Sequence, residues 1–288
     1  MIENDGVTAA PLAEDSSPAK PFLKWVGGKR QLLQAITPHV PKSFGSYHEP
    51  FVGGGAVFFH LRRIRRSFPA FLTDSNQRLI RTYLAVKYNV EEVIARLREH
   101  ERQHAKSYFH TMRDRRDIDD AGDTEVAAWM IYLNRTGFNG LYRVNSSNVF
   151  NVPMGKYVKP TICDEDNLRA CARALAGATI DTAGFESVLD RAQPKDFVYF
   201  DPPYQPLTGT AKFTDYTSRG FGDEDQERLR DVARMLKKRR VAVVLSNSNS
   251  PFIQKLYRVG FQRHTVGARR AVNSDATKRG LVEELILK

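Results

Sequence analysis

A mostly parallel α/β sheet interrupted by a helical insertion is the fold class that this sequence predicts, on three observations. Strand-like runs of apolar and β-branched residues alternate with amphipathic helix-like runs toward both ends of the 288-residue chain. Residues 77–162 break that alternation with helical segments and a polar, aromatic loop region. With 41% hydrophobic residues, the chain can bury one large core, or a core and an inserted subdomain.

Residues 1–20, MIENDGVTAAPLAEDSSPAK, carry four acids and one Lys among small residues, Pro and Ser, with no apolar period able to dock on a core. They are expected to form a disordered tail. From PFLKWVGGKRQLLQAI onward the pattern is α/β. SYHEPF predicts a short strand, VGGGA a turn, VFFHLRRIRR a helix, and FPAFLTD a second strand closing on Asp74. NVEEVIARLREHERQ and DTEVAAWMIYLN predict helices within 77–162. The alternation then resumes with the helix NLRACARALAGA and the strands ATIDTA and FVYF. A long irregular loop from Gln205 to Gly222 follows, of the kind that more often forms a lid than packed structure. Asp223 is expected to cap the next helix, EDQERLRDVARMLKKRR, with Gln226 reaching back. The strand VAVVLSN and an antiparallel pair, FQRHTV with LVEELIL, complete the chain. The expected division is a tail at 1–20, a sheet domain from 21–76 and 163–288, and an inserted domain at 77–162. No internal repeat has the period of a solenoid or propeller.

Forty-four Lys and Arg against 33 Asp and Glu leave a formal charge of +11 and a pI near 9.7. That excess favours a polyanionic partner, nucleic acid first. Cys163 and Cys171 stand without a CxxC or a His/Cys cluster and are expected to be reduced thiols eight residues apart on one helix. No apolar run approaches a membrane span and the N-terminus has no signal-peptide core, so a cytoplasmic protein is expected.

The chemistry concentrates in DFVYFDPPYQPL, residues 196–207. Ligands of open α/β sheets sit beyond the carboxyl ends of the strands, which is where Asp201 falls. Pro202 and Pro203 fix two φ angles and remove two backbone donors. The result is a stiff corner of acceptors, the Asp201 carboxylate and the Pro202 carbonyl, beside the Tyr204 ring. An exocyclic adenine amine suits it: a planar ring to stack and two hydrogens to donate, with a lone pair that becomes nucleophilic once those hydrogens are held. As a bland alternative, Asp-Pro is ordinary turn chemistry.

In HEPFVGGGAVF the turn at Gly53 to Gly55 lets backbone approach a ligand closely. A dinucleotide fingerprint needs a third glycine at position 58, and Phe58 is there. Asp74, 21 residues after Gly53 at a strand end, can accept from ribose hydroxyls. The pair suits a nucleoside without a pyrophosphate, such as S-adenosylmethionine, although a tight structural turn explains the glycines equally well. FLKWVGGKR resembles a phosphate loop only at Gly28-Lys29 and is no Walker motif, and Trp25 by itself reads as a core aromatic.

Residues 126–163 contain no acid. Arg135, Arg143, Lys156 and Lys159 supply charge, Asn134, Asn139, Asn145, Asn148 and Asn151 supply amides, and Phe138, Tyr142, Phe150 and Tyr157 supply rings. Such a set reads base edges, neutralises phosphates and wedges between bases, so a DNA face is expected over an ordinary solvated loop.

FLKWVGGK, EPFVGGGAVF, YLNRTGFNGLYRVN, FNVPMGKY and DPPYQPL, in that order, resemble the DNA adenine methyltransferase (Dam) family with the α-class arrangement of motifs. The resemblance runs from Pro21 to the C-terminus. It implies a Rossmann-like, S-adenosylmethionine-dependent methyltransferase sheet with an inserted helical target-recognition domain. It implies Trp25, Lys29, Phe51, Gly53, Gly55, Asp74 and Asp201 around the cofactor, and Asp201, Pro202 and Tyr204 in catalysis. Lys24, Phe138, Asn139, Leu141, Arg143 and Pro153 fall near double-stranded DNA by the resemblance, and Arg135 and Lys156 join the expected DNA face for their charge in the acid-free stretch. Phe138 is a departure, since many relatives have Tyr there, and the loop RRAVNSDATKRG also differs. The implied reaction is methyl transfer to adenine after base flipping, within GATC because NRTGFNGLYR is close to GATC-specific relatives. It needs no metal, because the donor is activated by its positive sulfur. A monomer on DNA is expected, with restriction-modification among the roles that fit.

Three other readings compete. A cytosine-amine methyltransferase usually carries Ser where this chain has Asp201. A nicotinamide oxidoreductase is disfavoured by Phe58 and the basic insertion, and an inert DNA binder by the intact tetrapeptide.

Overall fold

The computed structural model describes residues 18–25, 29, 32–65, 67–205, 221–269 and 281–288. The strand pattern of the sequence becomes a seven-stranded sheet: β1 (Tyr47–Glu49), β2 (Ala70–Asp74), β3 (Ala178–Thr182), β4 (Phe197–Phe200), β5 (Ala242–Ser248), β6 (Arg263–Arg269) and β7 (Leu281–Leu287). Their order is β3-β2-β1-β4-β5-β7-β6. Strands β1 to β5 pair in parallel, and β7 pairs antiparallel with both β5 and β6. The mostly parallel sheet and its closing antiparallel pair are therefore as predicted.

The described helices are α1 (Leu33–Ile36), α2 (Ala56–Arg65), α3 (Gln77–Tyr88), α4 (Val90–Arg102), α5 (Lys106–Arg113), α6 (Asp123–Thr136), α7 (Glu165–Leu175), α8 (Val188–Arg191), α9 (Asp223–Lys238) and α10 (Pro251–Leu256). Successive side chains of a strand point to opposite faces, and β4 shows the consequence. Phe197 and Tyr199 join a core with α2, α3, α6 and α7, whereas Val198 and Phe200 join another with α9 and α10. Helices thus cover both faces, which is why FVYF is apolar throughout instead of alternating. Helices α3 to α7 occupy the stretch between β2 and β3, and their Leu79, Tyr83, Ile131 and Leu133 share one core with Leu72 and Ile180 of the sheet. Among the described residues no helix is long and apolar enough to cross a membrane.

Three local expectations change. Lys20, assigned to the tail by composition, is held by Asn167, which accepts from its N–H at 2.9 Å and donates to its carbonyl at 3.0 Å. Cys163 precedes α7 instead of lying within it. Asp223 does not cap α9: it is the first helical residue, and Asp225 accepts from the Gly222 N–H at 2.9 Å. Gln226 is fully buried and serves the site instead. The expected lid falls mostly on 206–220 and the RRAVNSDATKRG loop mostly on 270–280, outside the described residues.

The helical stretch between β2 and β3 is laced by arginine pairs, of which the Arg78 pair is the deepest. Arg78 grips Asp119 bidentately at 2.6 and 2.7 Å, lies over the Trp129 ring, and is only 6% exposed. Arg78→Ala is expected to destabilise the protein by about 1.5 to 3 kcal/mol, toward the lower end because Asp119 is half-exposed. Urea unfolding checks this, and a change under about 0.5 kcal/mol would reduce the pair to an ordinary surface contact.

Candidate functional site

Strand order reverses its direction of growth between β1 and β4, and the carboxyl ends of these strands carry Glu49 and Asp201. Asp74 closes the neighbouring β2. The switch point of the sheet is thus ringed by carboxylates.

The corner at Asp201 to Tyr204 is braced from four directions. Lys29, 4% exposed, places its ammonium 2.7 Å from Asp201 Oδ1 and 4.4 Å above the centre of the Tyr204 ring. Ser246 of β5 donates to the same carboxylate oxygen at 3.0 Å and contacts the Tyr199 hydroxyl at 2.8 Å. Gln226 of α9 donates to the Pro203 carbonyl at 2.9 Å, and its own oxygen accepts from Asn247 at 2.9 Å. The Tyr204 hydroxyl donates to Glu284 of β7 at 2.6 Å. Ser246, Gln226, Asn247 and Glu284 escaped sequence reasoning, because each reads as an ordinary strand or helix residue and gains its role only from the folded sheet. Burial lifts the Asp201 carboxyl above the ordinary aspartate range, with Lys29 and Ser246 pulling it back.

Glu49 is buried, accepts from the Tyr47 hydroxyl at 2.9 Å, and is pushed up to about 8, first by burial and further by the charge of Asp201. At neutral pH it is mostly protonated, which relieves the crowding of negative charge.

On the β2 side, the Asp74 carboxylate accepts from the backbone N–H groups of Gly53 at 3.1 Å and Asn76 at 2.9 Å. Burial raises it to about 6 against those bonds. Gly53 and Gly55 both have positive φ, at 46° and 66°. A Cβ on Gly53 would lie 2.7 Å from Trp25 Cδ1, and one on Gly55 would lie 2.7 Å from the Tyr83 hydroxyl. The close approach that these glycines permit is therefore to Trp25 and Tyr83. Phe51 packs among Phe185, Phe200 and Phe221. A half-buried acceptor, an indole and a phenylalanine cluster around one turn match an adenosine-type cofactor: hydroxyls for Asp74 and flat apolar surfaces for a base.

The acid-free stretch divides in two. Phe138 and Tyr157 are exposed at 43% and 36%, whereas Tyr142 and Phe150 are buried. Tyr142 stacks on Trp25 with ring centres 5.8 Å apart. Asn134 is buried, while Asn139, Asn145, Asn148 and Asn151 are exposed. Arg143 is exposed and steadied by Asn151, whose side-chain oxygen accepts from Nε at 2.7 Å and whose carbonyl accepts from Nη2 at 3.1 Å. Arg135 turns inward and donates to the Phe22 carbonyl at 2.9 Å. Lys24, Pro153 and Lys156 are exposed, and Leu141 is half-buried.

The family model for D12 class N6 adenine-specific DNA methyltransferases matches residues 25–272. The chain is 43% identical over 273 residues to the Type II methyltransferase M1.LlaDCHI of Lactococcus lactis subsp. cremoris, covering 93% of this chain and 94% of that one. It is 40% identical over 285 residues to the Type II methyltransferase M.MjaIII of Methanocaldococcus jannaschii, covering 93% and 98%. It is 36% identical over 269 residues to the DNA adenine methylase of Escherichia coli, covering 92% and 93%.

Glu49 carries a pH signature. Its folded pKa lies above its unfolded one, so its contribution to stability is full below about 4.5 and is lost as pH rises through about 8. Within that window stability falls by up to about 1.4 kcal/mol per pH unit from this group. Glu49→Gln is expected to flatten the slope in urea titrations across the window, and an unchanged slope would contradict the buried, protonated state.

Proposed function

The chain belongs to the D12 class N6 adenine-specific DNA methyltransferase family, whose methyl donor is S-adenosylmethionine, and on that premise we propose that it flips adenine out of duplex DNA and methylates it within GATC. The observation that carries this reading is the corner at Asp201 to Tyr204, which combines two acceptors with an aromatic face and is braced before any base arrives. We assign residues 77–162 to target recognition and 21–76 with 163–288 to catalysis.

Trp25, Lys29, Phe51, Gly53, Gly55 and Asp74 would hold the cofactor, with Asp74 taking its hydroxyls. When bound, S-adenosylmethionine supplies a methyl group on a positively charged sulfur. Asp201 and the Pro202 carbonyl would accept hydrogen bonds from the two N–H groups of the adenine amine, leaving its lone pair directed outward as nucleophile, and the Asp201 carboxylate is the acceptor beside the proton that the methylated amine sheds. Tyr204 carries the base on its ring, and its hydroxyl stays on Glu284. Lys29 now sits on the two groups that the amine and ring require. Its ammonium balances the Asp201 charge, and it must give up the Tyr204 face to admit the base.

On the DNA side, Phe138 wedges into the duplex beside the target, and Lys24, Asn139, Leu141, Pro153 and Lys156 line its path, with Arg135 behind them. Arg143 reads a guanine edge. The GATC assignment rests on the NRTGFNGLYR segment. Restriction-modification is among the roles that fit this chain, and two of its relatives are named Type II methyltransferases. We picture a monomer on DNA, acting in the cytoplasm.

Asp201→Ala is expected to slow methyl transfer by about 10²- to 10³-fold or more while duplex binding survives. Near-normal single-turnover rates in that variant would remove Asp201 from the chemistry. Mapping of modified bases on plasmid DNA is expected to give N6-methyladenine in GATC. Methylation centred on another tetranucleotide would overturn the site assignment.

Arg143→Ala is expected to relax discrimination at the guanine by about 1 to 3 kcal/mol. Lys156→Ala should weaken all duplexes alike and lower the salt dependence by about one ion. Equal loss on cognate and mismatched duplexes in the Arg143 variant would deny it a reading role.

A further inference from the structure

Asn134 was grouped by sequence with the DNA-reading amides, yet it lies at the end of α6 and is only 3% exposed. Its side chain is committed to backbone on two sides. Oδ1 accepts from the Lys24 N–H at 2.7 Å, and Nδ2 donates to the Lys24 carbonyl at 2.7 Å and the Gly140 carbonyl at 2.8 Å. Both backbone groups of one residue and one carbonyl of another are thus satisfied by a single amide. Arg135 adds a second tie, to the Phe22 carbonyl at 2.9 Å.

The two segments joined here belong to different tasks. Lys24 is followed by Trp25, whose ring fills the space beside Gly53, and the Gly53 N–H is bonded to Asp74. Gly140 closes the short turn Phe138–Gly140, which presents the exposed Phe138 ring. Gly140 has φ +65°, and a Cβ there would lie 2.5 Å from Lys24 Cβ, so turn and segment also touch directly. The Lys24 ammonium lies 4.5 Å from the centre of the exposed Tyr157 ring. A continuous set of contacts runs from Asp74 through Gly53, Trp25 and Lys24 to Asn134 and the Phe138 turn.

We propose that Asn134 is a positioning residue that couples cofactor occupancy to the base-wedging turn. This rests on the functional reading above and adds to it a thermodynamic link between its two binding events. Ordering of the Lys24–Trp25 segment by the cofactor fixes the Gly140 carbonyl through the shared amide, so Phe138 meets the duplex already oriented. Linkage requires the reverse as well: bound duplex tightens the cofactor by the same factor.

The test is the complete square of affinities for S-adenosylhomocysteine and a duplex carrying the mapped target, each measured with and without the other. Wild-type protein is expected to show at least about fivefold mutual tightening, the lower end of typical coupling. Asn134→Asp keeps the acceptor for the Lys24 N–H and loses both donors, and its coupling is expected to fall to within about twofold of none. Gly140→Ala presses on Lys24 from the turn side and is expected to do the same, which keeps the test open if the Asn134 variant fails to fold by thermal melting. A purely structural role would weaken both single affinities and leave their coupling intact. Full coupling in either folded variant, or none in the wild type, overturns the proposal. A wild type that binds both ligands but methylates no adenine would instead overturn the functional reading.

Discussion

The ion pair between Lys29 and Asp201 is the contact on which the rest of this site depends. Parallel strands that end together bring Glu49, Asp74 and Asp201 to one edge of the sheet, and β7 adds Glu284. Carboxylates drawn out of water this closely cannot all stay ionised without a cation. One ammonium, 4% exposed and 2.7 Å from Asp201, supplies it. Glu49, buried and without such a partner, holds its proton up to about pH 8, first because burial penalises its charge and further because Asp201 lies near.

That division of charge explains why the corner is stiff. An acceptor useful in a transition state has to be in place beforehand, because energy spent on reorganising it is lost to the reaction. Prolines fix the backbone of the corner, and four side chains from β5, α9 and β7 fix the rest. The antiparallel end of the sheet therefore supplies more than an edge: Glu284 of β7 reaches the Tyr204 hydroxyl across it. The helical stretch between β2 and β3 is connected to this centre by the Trp25–Tyr142 stack as well as by Asn134.

Much of this was legible in the sequence, and the rest was hidden for physical reasons. The FVYF run, FPAFLTD and the final antiparallel pair read correctly because a strand's apolar period is local. Asp201 directly follows β4 and Asp74 closes β2, as the ends of their apolar runs indicated. Gln226 was misread as a cap because sequence shows its spacing from Asp223 and not the Pro203 carbonyl that folding brings within 2.9 Å. Asn134 and Tyr142 were misread as surface residues because composition cannot separate an amide that reads a base from one that bridges two loops. Gly53 and Gly55 allowed two readings, a close approach to a ligand or a tight structural turn, because a glycine looks the same in sequence whether the neighbour it admits is a cofactor or Trp25.

The most direct measurement of the central claim is a crystal structure of the protein with a target duplex and a non-reactive cofactor analogue. The expected result is an adenine outside the helix on the Tyr204 ring, its amine within hydrogen-bond distance of Asp201 and the Pro202 carbonyl, and the Lys29 ammonium moved off the ring. An adenine still stacked in a fully occupied duplex at the mapped target, with Lys29 remaining 4.4 Å above Tyr204, would contradict it.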